Sequence, residues 1–167
     1  ARNCARCEMP SGYSAVIWLQ SIAGRSGTVL RATRRMLQKS ELKQLQAFLR
    51  RQFGNDDLRV TIDARNQEAG AVHLGERKIA TITVDDEDGD RSFALEMKIP
   101  VARDVLQDYL RRLFENENLK LVARARKTDS VELNNGPDHI GIISADDARG
   151  SSFTLQMSIL DFDLEDL

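Results

Sequence analysis

Apolar positions along the chain follow two periods that alternate twice. Leu42, Leu45, Leu49 and Phe53 fall at i, i+3, i+7 and i+11, one face of a helix, and Phe48 widens the stripe. Ser40 followed by Glu41 suits an N-cap and a first-turn acid, and Gly54 sits where a C-cap belongs. Lys43, Arg50 and Arg51 are expected toward solvent. After the Asn55-Asp56-Asp57 turn the period changes to two. Leu58, Val60 and Ile62 alternate with Arg59, Thr61 and Asp63, the pattern of a half-buried strand. Further strands are expected from about Ala71 to Leu74, from Ile79 to Val84, and after an acidic loop. The last carries Phe93, Leu95, Met97 and Ile99 on one face and Ser92, Ala94, Glu96 and Lys98 on the other.

The same succession then returns. Leu106-Gln107-x-Tyr109-Leu110-Arg111-Arg112-x-Phe114 repeats Leu45-Gln46-x-Phe48-Leu49-Arg50-Arg51-x-Phe53. Asn116 answers Asn55, and Ile140 to Ala145 answers Ile79 to Val84. Asp146-Asp147, Gly150 and Ser152-Phe153 answer Asp85-Asp86, Gly89 and Ser92-Phe93. The spacing is 61 residues from Leu45 to Leu106 and from Ile79 to Ile140, and 60 from Phe93 to Phe153. One residue was lost at the loop tip, where loss is tolerated and strands are not disturbed. Asn134-Asn135-Gly136-Pro137 marks a turn. The tail from Leu160 to Leu167 has no counterpart, and strand continuation is the simplest expectation for it.

The predicted fold class is α+β, two tandem repeats, each one helix followed by an antiparallel β-meander. The helix covers one sheet face and the other is wet. The boundaries are 36–100 for repeat one and 101–167 for repeat two. Residues 1–35 form an N-terminal extension that fits neither, with six Arg against one acid, Glu8. Three readings of it stand: Met36 as the true start, with residues 1–35 not native to the protein; a disordered extension; or an organelle transit peptide. Its Cys4-x-x-Cys7 is a lone pair without a second pair or a nearby His, weak as a zinc half-site or a redox motif.

Charge sharpens the picture. The net charge of −2 is +5 over residues 1–35 and therefore −7 over the rest. An acidic body argues against strong nucleic-acid binding, which draws on phosphate neutralisation. No run of about 18 apolar residues exists, so no membrane helix is expected. The body has no cysteine, which excludes a disulfide framework there and makes a cytoplasmic setting the expectation.

These motifs resemble domain-of-unknown-function family 3126, short bacterial proteins that look like a single copy of the unit. The resemblance rests on the Leu-Gln-x-aromatic-Leu helix, the Phe-x-Asn turn, and the basic strand with Asp129-Ser130-x-Glu132. It rests also on the Asp85-Asp-Glu-Asp-Gly89 hairpin and on endings such as Met157-Ser-Ile159-Leu160-Asp-Phe-Asp-Leu164. It spans Leu37 to the C-terminus and implies a small cytosolic bacterial protein with no activity to carry over. Repeat two departs at the hairpin, where Ala148 and Arg149 replace acids.

Three constellations are candidates for chemistry. The loop Asp85, Asp86, Glu87, Asp88 and Asp90 offers oxygen ligands to a hard cation. With Gly89 at loop position six an EF-hand would need ligands at Val84 and Leu95, which excludes that motif, and a solvated hairpin tip is the plainer reading. The pairs Arg50-Arg51 and Arg111-Arg112, with Arg124, Arg126 and Lys127, are candidate partner-binding cations. A helix followed by strands is similar to part of a double-stranded-RNA-binding domain in topology alone. His73 and His139 lie at unmatched positions with no nucleophile or phosphate-loop motif beside them. No catalytic residue or cofactor is expected. The expected function is a non-catalytic interaction or assembly module with a protein partner. The alternatives are RNA or other nucleic-acid binding through the Arg residues, and a metal-assisted hydrolase at the acidic hairpin.

Overall fold

The computed structural model describes residues 36–86, 91–125 and 127–165. The expectations placed on residues 1–35, on Glu87, Asp88 and Asp90, on Arg126 and on the last two residues lie outside this set.

A helix, α1 (Lys39–Phe53), precedes four strands: β1 (Leu58–Ile62), β2 (Ala69–Leu74), β3 (Arg77–Asp85) and β4 (Ser92–Ile99). A second helix, α2 (Leu106–Phe114), precedes β5 (Leu119–Arg124), β6 (Lys127–Asn135), β7 (Asp138–Ala145) and β8 (Phe153–Leu160). All eight strands form one antiparallel sheet in the order β1-β2-β3-β4-β8-β7-β6-β5. The two meanders meet where the last strand of one lies against the last strand of the other.

That join follows from the alternation. Phe93, Leu95, Met97 and Ile99 on β4 and Phe153, Leu155, Met157 and Ile159 on β8 are all buried on the helix side. With one face buried, a one-residue slip would turn every apolar side chain to water, so the register is held. It places Glu96 opposite Gln156, Leu95 opposite Met157 and Met97 opposite Leu155. Glu96 and Gln156 are equivalent residues of the repeat, so they mark a pseudo-two-fold axis.

The helices share the buried face and a single core. Leu45, Phe48, Leu49 and Phe53 fill α1's side, and Leu106, Leu110 and Phe114 fill α2's. At the helix C-termini the Phe53 and Phe114 rings stack, 4.2 Å between centroids and 16° between planes. Gly54 ends α1 in the left-handed region at φ 67°, its N–H donating to the Arg50 carbonyl at 2.8 Å. Glu115 takes the same conformation after α2 at φ 53°, without glycine's freedom.

Several local expectations are corrected. The N-cap of α1 is Gln38, whose N–H donates to Glu41 Oε2 at 2.7 Å, and Ser40 lies inside the helix. A glutamate three residues in can reach back to the cap, which is why the start shifts. Ile62, at the end of an edge strand, is 42% exposed. Asn134 and Asn135 belong to β6, opposite His139 and Asp138, so the turn narrows to Gly136-Pro137. The tail leaves the sheet at Leu160 and forms a 3-10 helix, Asp161–Leu164. Asp163 Oδ2 accepts from the Leu160 N–H at 3.0 Å, and Leu164 is buried. Its carbonyl accepts from Gln44 Nε2 of α1 at 3.3 Å, so the second copy ends against the first copy's helix.

Candidate functional site

A groove of about 470 Å³ lies on the helix-free sheet face over β3, β4 and β8. Polar side chains of Thr81, Thr83, Glu96, Lys98, Gln156 and Ser158 line it. These are the outward positions of strands whose inward positions make the core, so the alternation that builds the fold also builds the groove. The pseudo-two-fold passes through it at Glu96 and Gln156.

Its electrostatics are lopsided. Lys98 Nζ lies 3.4 Å from Glu96 Oε1 and from Asp146 Oδ1, and donates to Thr154 Oγ1 at 2.7 Å. The Thr154 hydroxyl also donates to Asp146 Oδ1, and this bond, then Lys98, holds the Asp146 carboxyl below the usual carboxylate range. Ala94, the counterpart of Thr154, has no hydroxyl to offer. The arrangement can accept and donate hydrogen bonds to an extended polar partner. Sequence reasoning placed Glu96 and Lys98 on a wet face. It missed Thr81, Thr83, Gln156 and Ser158 as their neighbours, because only strand pairing brings them together.

The expected cation candidates separate into two groups. Arg50 Nε donates to the Leu58 carbonyl at 2.9 Å, and Arg111 Nε to the Leu119 carbonyl at 2.9 Å. Both are half-buried, so the expectation that Arg50 lies toward solvent is corrected. Gln46 Oε1 accepts from the Val60 N–H at 3.1 Å and Gln107 Oε1 from the Leu121 N–H at 3.0 Å. Glutamine and arginine four residues apart on each helix thus satisfy outward backbone groups of the two edge strands. Arg51 and Arg112 are exposed, with Arg51 Cζ 5.7 Å from the Phe48 ring centroid.

Arg124 Nη1 donates to Ser130 Oγ at 3.2 Å, with its Nε 3.7 Å from Glu132 Oε1, and Lys127 is exposed. These two lie at the far end of β6 from Asn135, whose Nδ2 donates to the Gln52 carbonyl at the helix junction at 2.9 Å. Lys127 and Asn135, eight steps apart on β6 at about 3.4 Å each, are roughly 27 Å apart along the strand.

Of the acidic-loop candidates, Asp85 is exposed at the end of β3 opposite Ser92, and Asp86 is half-buried. Among the described residues no three metal-ligating side chains gather. In the equivalent loop Asp147 accepts from the N–H groups of Arg149 and Ser151 at 2.8 and 3.1 Å, and from the Ser151 hydroxyl. The Ser151 hydroxyl is the largest cause holding the Asp147 carboxyl below its ordinary value.

A family model described as "Protein of unknown function (DUF3126)" matches residues 41–101 and again 103–163. The chain belongs to this family. Both DUF3126 matches run from a helix through to the end of a fourth strand, so the tandem duplication read from the residues is a doubling of the family's own unit. No curated protein and no solved structure matches the chain. Among the described residues no helix is long and apolar enough to cross a membrane.

Proposed function

We propose that this DUF3126 tandem is a non-catalytic interaction or assembly module that docks a protein partner on the helix-free sheet face. It is built from two units, 36–100 and 101–167, each a helix followed by a β-meander. The observation that carries the reading is the polar groove on the pseudo-two-fold. The same structure closes both sheet edges with Gln46, Arg50, Gln107 and Arg111. Strand addition at β1 or β5 would have to displace those side chains. The groove asks for no such displacement.

The test is a pull-down from native lysate with the wild type and with Thr83→Arg plus Ser158→Arg, each with and without nuclease. The expected result is a protein partner that survives nuclease and is lost with the variant. A partner retained by the variant sinks the docking face, and one lost on nuclease treatment moves the function to nucleic acid.

That second reading has one observation in its favour. The Phe53–Phe114 stack joins the two helix C-termini, and Arg51 and Arg112, each two residues before a stacked ring, are exposed. Asp56, Asp57, Glu115 and Glu117 are exposed around it and oppose phosphate. Weak binding of single- or double-stranded RNA that falls steeply with salt and disappears in Arg51→Glu plus Arg112→Glu would support it. Salt-insensitive binding would not.

A further inference from the structure

The β4–β8 pairing has the properties of a homodimer interface written into one chain. Residue 92+n of β4 faces residue 160−n of β8 throughout the register, and equivalent residues sit symmetrically about Glu96 and Gln156. The same axis relates the helix ends. Asn55 Nδ2 donates to the Phe114 carbonyl and Asn116 Nδ2 to the Phe53 carbonyl, both at 2.9 Å. An interface in which the same patch serves both sides is isologous and closes on two copies.

The two copies are not equal at the axis. Pairing repeat one with itself would put Glu96 opposite Glu96, where the present fold has Gln156. It would also put Lys98 opposite Ala94, removing the hydroxyl that Thr154 supplies to Lys98. Lys98 lies 3.4 Å from Glu96 and offsets part of the repulsion, but not the lost bond. Pairing repeat two with itself would put Gln156 opposite Gln156 and Ser158 opposite Thr154; Thr154 and Asp146 would lose Lys98, but no like charges would meet at the axis.

We infer that β4 is a partner-selective edge whose fitting partner is a second copy of the same unit with an uncharged residue at the axis. Repeat one therefore accepts repeat two and rejects another repeat one, while repeat two accepts either. The covalent link between the halves runs through exposed Ala102 and Arg103, outside the strands, although the Arg103 side chain donates to the Thr128 carbonyl of β6 at 2.7 Å.

The experiment uses the full chain with a protease site inserted between Ala102 and Arg103, folded and then cut. Native mass spectrometry distinguishes the halves by mass, before and after unfolding and refolding of the mixture. The cut halves stay together one to one. After refolding, pairs of repeat one with itself fall about fivefold below their statistical share, the order given by an opposed like charge and a lost hydrogen bond. Pairs of repeat two with itself form. Glu96→Gln, an exposed and mild change, raises the repeat-one pairs severalfold. Halves that separate into monomers on cutting, repeat-one pairs at their statistical share, or no response to Glu96→Gln would each overturn the inference.

Discussion

Asn55 and Asn116 exchange one interaction across the molecule: each donates its side-chain amide to the carbonyl of the other copy's terminal phenylalanine at 2.9 Å. Each also accepts, through Oδ1, the backbone N–H two residues on, from Asp57 at 2.8 Å and Asn118 at 2.9 Å. Both are nearly buried. Asn55→Ala and Asn116→Ala each strand a helix-end carbonyl and a turn N–H, so each should cost about 1–3 kcal/mol. Asn116 also reaches Asn135 Oδ1 at 3.3 Å, so its loss should be the larger. Urea unfolding midpoints of the two variants read the order directly.

The two helix ends differ in one residue. Glu115 is held at φ 53° where the first copy has Gly54. Glu115→Gly relieves a left-handed side chain and should raise stability by about 1 kcal/mol, less the unfolded-chain entropy that glycine adds. Gly54→Ala should do the opposite and more strongly. Its Cβ would take a left-handed conformation and meet Asn116 Nδ2 at 2.7 Å. Thermal unfolding of the pair should move in opposite directions.

The sheet edges carry their own protection. Gln46→Ala and Gln107→Ala uncover the N–H groups of Val60 and Leu121. Each should cost about 1 kcal/mol, and exposed edge groups template pairing between molecules. Light scattering of the double variant should rise with concentration where the wild type stays flat. A flat double variant would show that the helices shield the edges by bulk alone.

Acid should weaken the fold through three carboxylates. The hydrogen bond from Lys78 holds Asp63 low, ahead of the Arg65 N–H. Thr154 and then Lys98 do so for Asp146, and Ser151 for Asp147. A carboxyl depressed in the folded state stabilises it above the unfolded pKa of about 4, and that stability is lost as pH falls through the folded value. Urea midpoints should be level from neutral pH to about 5 and fall below about 4. Lys78→Met removes the largest cause at Asp63, so it should lower the neutral-pH midpoint and flatten the acid fall. An unchanged acid slope in Lys78→Met would assign the fall to the other two.

By itself the sequence determined the repeat, its spacing of 61 falling to 60 at the hairpin tip, the two helix stripes, and which side chains of β4 and β8 face inward. These are local properties, because a period of 3.6 or 2 declares a face wherever the segment ends up. Local pattern also misplaced the α1 cap at Ser40 and carried the tail on as a strand, since neither sees the group that competes for the backbone: Glu41 in one case, Asp163 in the other. Only the tertiary structure decided that the two meanders share one sheet through β4 and β8. It also decided that Gln46 and Arg50 serve an edge strand and that Gln52 sits at the opposite end of β6 from Lys127. Those relations join residues tens of positions apart, and a strand's face pattern carries no mark of which edge will accept it. Pairing is settled when both buried faces and both helix ends are satisfied together, around the axis between Glu96 and Gln156.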